Sequence, residues 1–299
     1  MDHHYLPQFY LRKWTRDDGR LLRYRRVPTG ALVEDPVVPK GTAFEPDLYA
    51  TPPAPAWEAY APNVIETDFM SKVDSDASLV LDKLASQTTL DLSDNDRTAW
   101  ALFLNSLHHR HRDEIFERDA AAPRIARELM AKWVGQTQDP ERRQRISETL
   151  EEANVEQMAR NAHRGLMVQA IRNPKAIDAF KALAWTVLVM QPTMPLVTTD
   201  RPLLINMGEA GEMQIVTIPV SPMRLFMGYP RLWHQDEATL RDADALFDHI
   251  AGVHDLLLLN EQRCRYVYAS RKVDDNFAVG DKIIHLRKAV GQVLNRWPT

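Results

Sequence analysis

Residues 214–228 have the sequence QIVTIPVSPMRLFMG, two short apolar runs on either side of Ser-Pro-Met. Such runs are rich in β-branched and aromatic residues, which favour strands over helices. Similar runs, separated by proline, glycine or aspartate, lie on both sides of this stretch, at residues 184–190, 196–199, 203–206 and 265–269. The second half of the chain therefore predicts a set of short strands.

Residues 56–183 have the opposite character and predict helices. Apolar residues recur there at helical spacing, beginning with Ile65, Phe69, Val73, Val80 and Leu84. Ser93 and Asp139 are good N-cap residues, and Pro174 after Asn173 indicates a helix end. The helix that follows Ser93 is expected to present one apolar face, formed by Trp100, Leu104, Leu107, His111 and Ile115.

The two ends of the chain are mixed. Residues 1–55 predict strands and loops after a short helix at 8–14, and residues 20–27 have the glycine and Pro-Thr-Gly boundaries of a hairpin. Helical patterns return at residues 236–259 and 281–297.

This order of elements is typical of an α+β fold rather than of alternating βαβ units. We predict a single domain over residues 1–299. Its parts are a strand and loop region (1–55), a helical block (56–183), and strands with late helices (184–299). The helical middle should be accompanied by a small mixed or antiparallel sheet built from N-terminal strands and strands of residues 184–270.

Composition narrows the class of protein. Net charge is −4 with a pI of about 6.2, so nucleic-acid binding would need a local basic patch. Cys264 is the one cysteine, which excludes an internal disulfide and a thiolate zinc cluster. The N-terminus has no apolar segment of signal-peptide type, and no apolar run approaches the ~20 residues of a membrane helix. We expect a cytoplasmic protein without a membrane partner.

The N-terminal run at residues 3–11, HHYLPQFYL, crowds polar and aromatic groups together. It resembles the start of a large, mainly microbial family, domain of unknown function 4238. Further similar positions extend over nearly the whole chain: Ile65-Glu66, Phe103-Leu104 with Arg110, VTTDRP at 197–202, IPVSP at 218–222, and Asn260. Leu107 and His111-Arg112 depart from the family pattern, which has glutamine and Thr-Pro there. The resemblance implies a set of positions and no activity.

Four polar residues among these positions form our candidate catalytic site: His4, Glu66, Arg110 and Asp200. Histidine transfers protons near neutral pH, and a buried carboxylate needs a partner or a raised pKa. Together the four would suit metal-assisted hydrolysis of a phosphodiester, in which Arg110 stabilises the phosphate and the carboxylates hold a divalent ion of unknown identity. We expect Glu66 and Arg110 to lie close together, in a cleft between the helical block and the 184–233 strands.

The alternative is that the same residues are structural. Glu66 and Arg110 would then be a buried ion pair, Asp200 would cap its own turn, and His3 and His4 would anchor the N-terminus.

Two further features carry a functional interpretation. His108 and His111 are three residues apart on a predicted helix and could share a metal, although ordinary histidines beside an apolar stripe explain them as well. Residues 10–26 contain seven basic and two acidic residues interleaved with three aromatics, a pattern that suits phosphate contact and base stacking. The candidate nucleic-acid-binding residues are Arg12, Lys13, Arg23 and Arg25. The alternative interpretation of this segment is a solvated hairpin whose arginines pair with acidic residues elsewhere in the chain.

Three functions stay open at this point, and an enzyme is only one of them. The first is a hydrolase acting on a phosphodiester of nucleic acid. The second is a non-catalytic module that binds nucleic acid or a nucleotide. The third is a protein-interaction component whose polar cluster is structural. The P-loop, GxGxxG, GxSxG and HExxH motifs are all missing.

Overall fold

A computed structural model describes residues 1–26, 32–51, 62–87, 89–151, 155–190, 195–208, 211–231 and 265–271. The late helices expected at 236–259 and 281–297, as well as Asn260 and Cys264, lie outside the described residues. No helix within those ranges has both the length and the apolar character to cross a membrane.

The middle of the chain is helical, as predicted. A short helix near the N-terminus is α1 (Gln8–Leu11), and the later helices are α2 (Ser71–Ser86), α3 (Asp94–His109), α4 (Arg112–Gln136), α5 (Pro140–Glu151), α6 (Val155–Ile171) and α7 (Pro174–Ala182). A π-helical turn, Ile65–Met70, leads directly into α2. The predicted apolar stripe from Ile65 to Leu84 is buried along its length.

The caps predicted at Ser93 and Asp139 are confirmed, and Asn173, which was predicted only to mark a helix end, is the N-cap of α7. Ser93 and Asp96 form a reciprocal capping box at the start of α3. The carboxylate of Asp139 accepts the amide N–H of Glu141 at 2.9 Å, and the side chain of Asn173 accepts that of Lys175 at 3.0 Å. These bonds satisfy amide groups that a helix start leaves without partners.

The prediction that one helix continues through His111 is wrong, because α3 ends before this residue and α4 begins after it. His111 has an extended backbone, and its Nδ1 accepts the amide N–H of Asp113 at 3.2 Å, so it is the N-cap of α4. Leu104 and Ile115, on either side of the break, are both buried. Apolar spacing therefore continues across the junction and conceals it in the sequence.

The strands of the described residues form three antiparallel sheets. They are β1 (Asp2–His4), β2 (Leu21–Arg26), β3 (Leu32–Val37), β4 (Phe44–Pro46), β5 (Ala184–Val189), β6 (Thr198–Thr199), β7 (Leu204–Met207), β8 (Met213–Ser221), β9 (Arg224–Tyr229) and β10 (Tyr266–Ala269). β1 pairs with β4, and the four-stranded sheets have the orders β3-β2-β10-β6 and β5-β9-β8-β7. The first of these joins N-terminal to late strands, as predicted, and the fold is α+β.

The core unites the N-terminal segment with the helical block and with β8 and β9. Tyr10 and Trp14 are fully buried, and Trp100 and Phe226 meet edge to face at 5.7 Å. The hydroxyl of Tyr10 donates to the carbonyl of Pro219 at 2.7 Å and lies 2.7 Å from Thr198 Oγ1. These contacts fix the N-terminal segment between the helices and the strands. The candidate residues lie in this region.

Candidate functional site

The N-terminal run lies against the junction of α3 and α4. The carbonyl of His4 accepts a hydrogen bond from Arg110 Nη2 at 2.9 Å, and the ring of Tyr5 meets the ring of His111 edge-on at 5.0 Å. The ring of His3 stacks on Tyr49 at 5.5 Å. Pairing of β1 with β4 holds this run in place, so two segments a hundred residues apart in sequence build the site together.

Arg110 is paired, but not with the residue that we expected. Its side chain is 1% exposed, and Nη1 and Nη2 contact the two carboxylate oxygens of Asp74 at 2.7 and 3.1 Å. Burial alone would lower the pKa of Arg110, but the charge of Asp74 and its hydrogen bonds raise it above its ordinary value. The expected Glu66–Arg110 ion pair is therefore wrong, and Asp74 of α2 takes that place. Nothing in the sequence distinguishes Asp74 from Asp76 and Asp82 on the same helix.

Glu66 belongs to the same cluster without a hydrogen bond to it. It lies on the π-helical turn, half-buried, and among the described residues its Oε2 is a buried oxygen without a partner. Burial raises the pKa of Glu66 to about 7; Arg110 acts against this shift, and the charge of Asp74 adds to it. A carboxyl group with this pKa exchanges its proton near neutral pH. π-Helical turns are also frequent at functional sites.

The two N-terminal histidines are neutral at pH 7. Burial lowers the pKa of His3 and of His4, and for His4 the positive charge of Arg110 adds to the shift. His3 Nδ1 accepts the amide N–H of Tyr49 at 2.9 Å, which confirms the anchoring role for His3. The hydroxyl of Tyr49 donates to the carbonyl of Arg110 at 2.8 Å. Tyr49 is thus a supporting residue that sequence reasoning missed.

Asp200 lies in a second, adjoining cluster. Its buried carboxylate accepts the amide N–H of Arg265 at 3.0 and 3.2 Å and that of Tyr266 at 3.3 Å. The local cap expected of Asp200 is wrong, because Thr199 Oγ1 accepts the amide N–H of Arg201 and Asp200 instead secures the start of β10. Within the described parts of the chain, no hydrogen bond or ion pair joins Asp200 to His4, Glu66 or Arg110.

His111 faces Asp200 in this second cluster. Its Nε2 is 3.6 Å from Asp200 Oδ2, and its Nδ1 is occupied as the cap of α4. Nε2 is therefore the ring nitrogen that faces the carboxylate of Asp200. His108 packs instead against the ring of His109 at 5.0 Å. The expectation that His108 and His111 share a helical face is wrong. In the described residues, no three His, Cys, Asp or Glu side chains converge as metal ligands.

Alternating charges surround this second cluster. Arg201 Nη1 lies 3.2 Å from Glu114, Arg265 Nε lies 3.5 Å from Asp113, and Arg112 contacts Glu45. The run of charged residues 112–114 at the start of α4 could have indicated this network. Because each of these arginines has a carboxylate partner, the network stabilises the start of α4 and the approach of β10.

The basic segment at 10–26 is largely neutralised. Arg23 and Arg25 both contact Asp35, at 3.3 and 2.8 Å, and Lys13 contacts Asp82 at 2.6 Å. Arg12 is exposed and is the one of the four candidates whose side chain has no partner in the described ranges. The pairing expected under the alternative interpretation is therefore present for three of them.

The four predicted residues thus occupy two neighbouring clusters. His4, Glu66 and Arg110 lie in the first, with Asp74, and Asp200 lies in the second, with His111. The profile of the family described as protein of unknown function (DUF4238) matches residues 2–271, which include both clusters. No curated protein and no solved structure gives a significant match. Because the profile covers most of the chain, the protein belongs to the DUF4238 family, as its N-terminal run predicted.

Proposed function

We propose that the protein is a cytoplasmic hydrolase that cleaves a phosphodiester bond of nucleic acid, with Glu66 as the proton-transferring group. The observation that carries this proposal is the state of Glu66. It is a half-buried carboxyl group near a buried arginine, one of its oxygens has no hydrogen-bond partner among the described residues, and its pKa is raised to about 7. General acids and bases work best when their pKa lies near the working pH.

The neighbouring residues have supporting roles in this proposal. Asp74 and the carbonyl of His4 hold Arg110, whose buried positive charge acts on Glu66. His4 is neutral and can accept a proton. Asp200 and His111 have an indirect role, because they position β10 and the start of α4.

A metal ion fits these residues less well than the sequence suggested. Glu66 and Asp74 supply two carboxylates, and the described residues offer no third side-chain ligand beside them. The proposal therefore assigns proton transfer, and no metal-dependent step, to this chain's residues. Adding Mg²⁺, Mn²⁺ or a chelator to the assay tests whether a metal contributes.

One observation favours a second candidate, a non-catalytic protein with a structural polar cluster. Nη1 and Nη2 of Arg110 are both bound within the protein, and its side chain is 1% exposed. An arginine held in this way stabilises the fold whether or not a substrate binds. Under this candidate, nucleic acid or a protein partner would bind elsewhere on the surface.

The test is cleavage of single-stranded RNA and DNA by the purified protein and by Glu66→Gln. This substitution keeps the shape of the side chain and removes its titration, so we expect a rate lower by about 10²–10⁴-fold with the fold retained. Asp76→Asn is the control, because Asp76 is an exposed acid on the adjoining α2 and pairs only with Lys72 among the described residues. Equal activity of Glu66→Gln and the wild type would refute the role of Glu66. No cleavage by the wild type would favour the second candidate.

A further inference from the structure

A cavity of about 440 Å³ lies where α4 ends and α5 begins. This volume is within the range of about 300–1,000 Å³ that is usual for ligand pockets. Trp133 and Ile146 form its apolar wall, and the rest is lined by the polar residues Gln136, Thr137, Gln138, Asp139 and Arg142. The two clusters described above lie near the opposite end of α4.

The backbone around this cavity is fixed by its own hydrogen bonds. Thr137 Oγ1 donates to the carbonyl of Trp133 at 2.7 Å, and Arg143 donates to the carbonyl of Thr137 at 3.1 and 2.8 Å. Asp139 accepts the first amide N–H groups of α5. These bonds fix the backbone of the turn that frames the cavity.

Three of the polar side chains that line the cavity are not used by the fold, whereas those of Thr137 and Asp139 are. Within the described residues, Gln136, Gln138 and Arg142 have no side-chain hydrogen bond or ion pair. Arg143 donates to a backbone carbonyl, and no carboxylate among the described residues forms an ion pair with it. Two guanidinium charges and two amide groups are thus available at this end of the molecule.

Trp133 adds an aromatic surface next to these charges. Its side chain is 53% exposed, and it continues an exposed apolar line formed by Ile125 (45%) and Leu129 (47%) at spacings of four residues on α4. A large exposed aromatic that the core does not use is a common mark of a binding surface. An aromatic face beside unpaired arginine is the combination that holds single-stranded nucleic acid, by base stacking and phosphate contact.

We propose that this cavity binds a single strand of nucleic acid, with a base stacked on Trp133 and a phosphate on Arg142. The choice of ligand rests on the proposed function, but the site itself is separate from the Glu66 cluster. α4 has 25 residues, so its two ends are up to about 37 Å apart. The strand is therefore held well away from the bond that is cleaved, and long substrates bind better than short ones.

The experiment measures binding of fluorescent single-stranded oligonucleotides to the Glu66→Gln protein over a salt series, so that turnover does not interfere. Adding Trp133→Ala should weaken binding about 5- to 100-fold, the loss of one stacked base. Trp133→Phe keeps an aromatic face, so its affinity should lie between that of the Glu66→Gln protein and that of the variant with Trp133→Ala. Arg142→Gln should weaken binding. It should also reduce the slope of log K against the logarithm of the salt concentration by about one. Leu166→Ala and Arg124→Gln are controls, since Leu166 is 61% exposed on α6 and Arg124 is an exposed arginine paired with Glu128.

The outcomes separate this proposal from the proposed function. Binding that Trp133→Ala weakens, in a protein whose wild type cleaves nothing, supports the cavity and refutes the hydrolase. Cleavage by the wild type, together with binding that neither Trp133→Ala nor Arg142→Gln changes, overturns the cavity alone. Self-association that Trp133→Ala abolishes, without any effect on oligonucleotide binding, would assign the apolar line to a second copy of the chain and also overturn the proposal.

Discussion

Arg110 and Glu66 lie in one cluster, but their side chains differ in the partners that they have. The guanidinium of Arg110 is deeply buried with a bidentate carboxylate and a carbonyl as partners, whereas Glu66 has a buried oxygen without a partner in the described residues. A buried charge is tolerated when it is paired, and an unpaired carboxyl group takes up a proton instead. The cluster therefore contains one residue suited to stability and one suited to proton exchange.

Replacing Arg110 tests the first of these roles. Arg110→Ala leaves the carboxylate of Asp74 and the carbonyl of His4 without a partner, so we expect a loss of about 3–5 kcal/mol in the free energy of unfolding. Urea denaturation measures this loss. Arg127→Ala is the control, because Arg127 and Glu156 form an exposed pair 3.6 Å apart, and such pairs contribute about 0–1 kcal/mol. Equal losses in the two variants would contradict the assignment.

The pH dependence of stability tests the second role. The pKa of Glu66 rises from 4.5 to about 7 on folding, so between these pH values the folded protein binds more protons than the unfolded chain. The contribution of Glu66 to the free energy of unfolding is fully present below pH 4.5 and is lost as the pH rises through 7. Glu66→Gln should therefore unfold with a free energy about 1–3 kcal/mol higher than the wild type at pH 8, after allowance for partial exposure. The two proteins should be similar at pH 4.5, and a difference independent of pH would refute the shifted pKa.

At the scale of elements, the N-terminal run connects the sheets to the helices. Tyr5, Leu6, Tyr10, Leu11 and Trp14 are at most 2% exposed. The N-terminal segment is thus docked on the core. The same burial explains how a strand of three residues, β1, can hold His3 and His4 against α3: its position depends on packing of the segment that follows.

Deleting residues 1–14 should destabilise the whole domain, because it exposes the faces of α2, α3 and β8 that this segment covers. Differential scanning calorimetry should show a large drop in Tm. Tyr10→Phe is a milder change that removes the hydroxyl contacts with Thr198 and Pro219 and should cost about 1–3 kcal/mol. An unchanged Tm after the deletion would rule out this account of the N-terminus.

Helix and strand positions could be predicted where local rules act alone. The described part of the block expected at 56–183 is helical, and the strands expected at 184–229 are all present. The break at His111 could not be predicted, because an imidazole cap is uncommon and the apolar spacing continues across it. Asp74 was missed for another reason: its role depends on which residue of a distant helix reaches it.

At the scale of the whole molecule, remote segments meet in one sheet. β10 lies between β2 and β6, so strands that begin at residues 21, 198 and 266 are neighbours. Asp200 maintains this arrangement by accepting the amide N–H groups at the start of β10. Sequence reasoning grouped Asp200 with Glu66 as candidate catalytic residues, but it could not predict that the two lie in separate clusters.

Asp200→Asn tests this organising role. The amide replaces one acceptor oxygen by a donor that faces backbone N–H groups, so we expect a loss of about 1–3 kcal/mol in the free energy of unfolding. Asp178→Asn is the control, because Asp178 is exposed on α7 and its side chain has no partner in the described ranges. Stability of Asp200→Asn equal to that of the wild type would mean that these hydrogen bonds do not hold β10.

The rate of single-strand cleavage as a function of pH tests the central claim most directly. If Glu66 transfers the proton, the wild-type rate should change with a midpoint near pH 7, the value to which burial raises the pKa of this group. Glu66→Gln should lose both that midpoint and about 10²–10⁴-fold in rate. A wild-type profile without a transition near pH 7, or the same profile and rate in Glu66→Gln, would contradict the account.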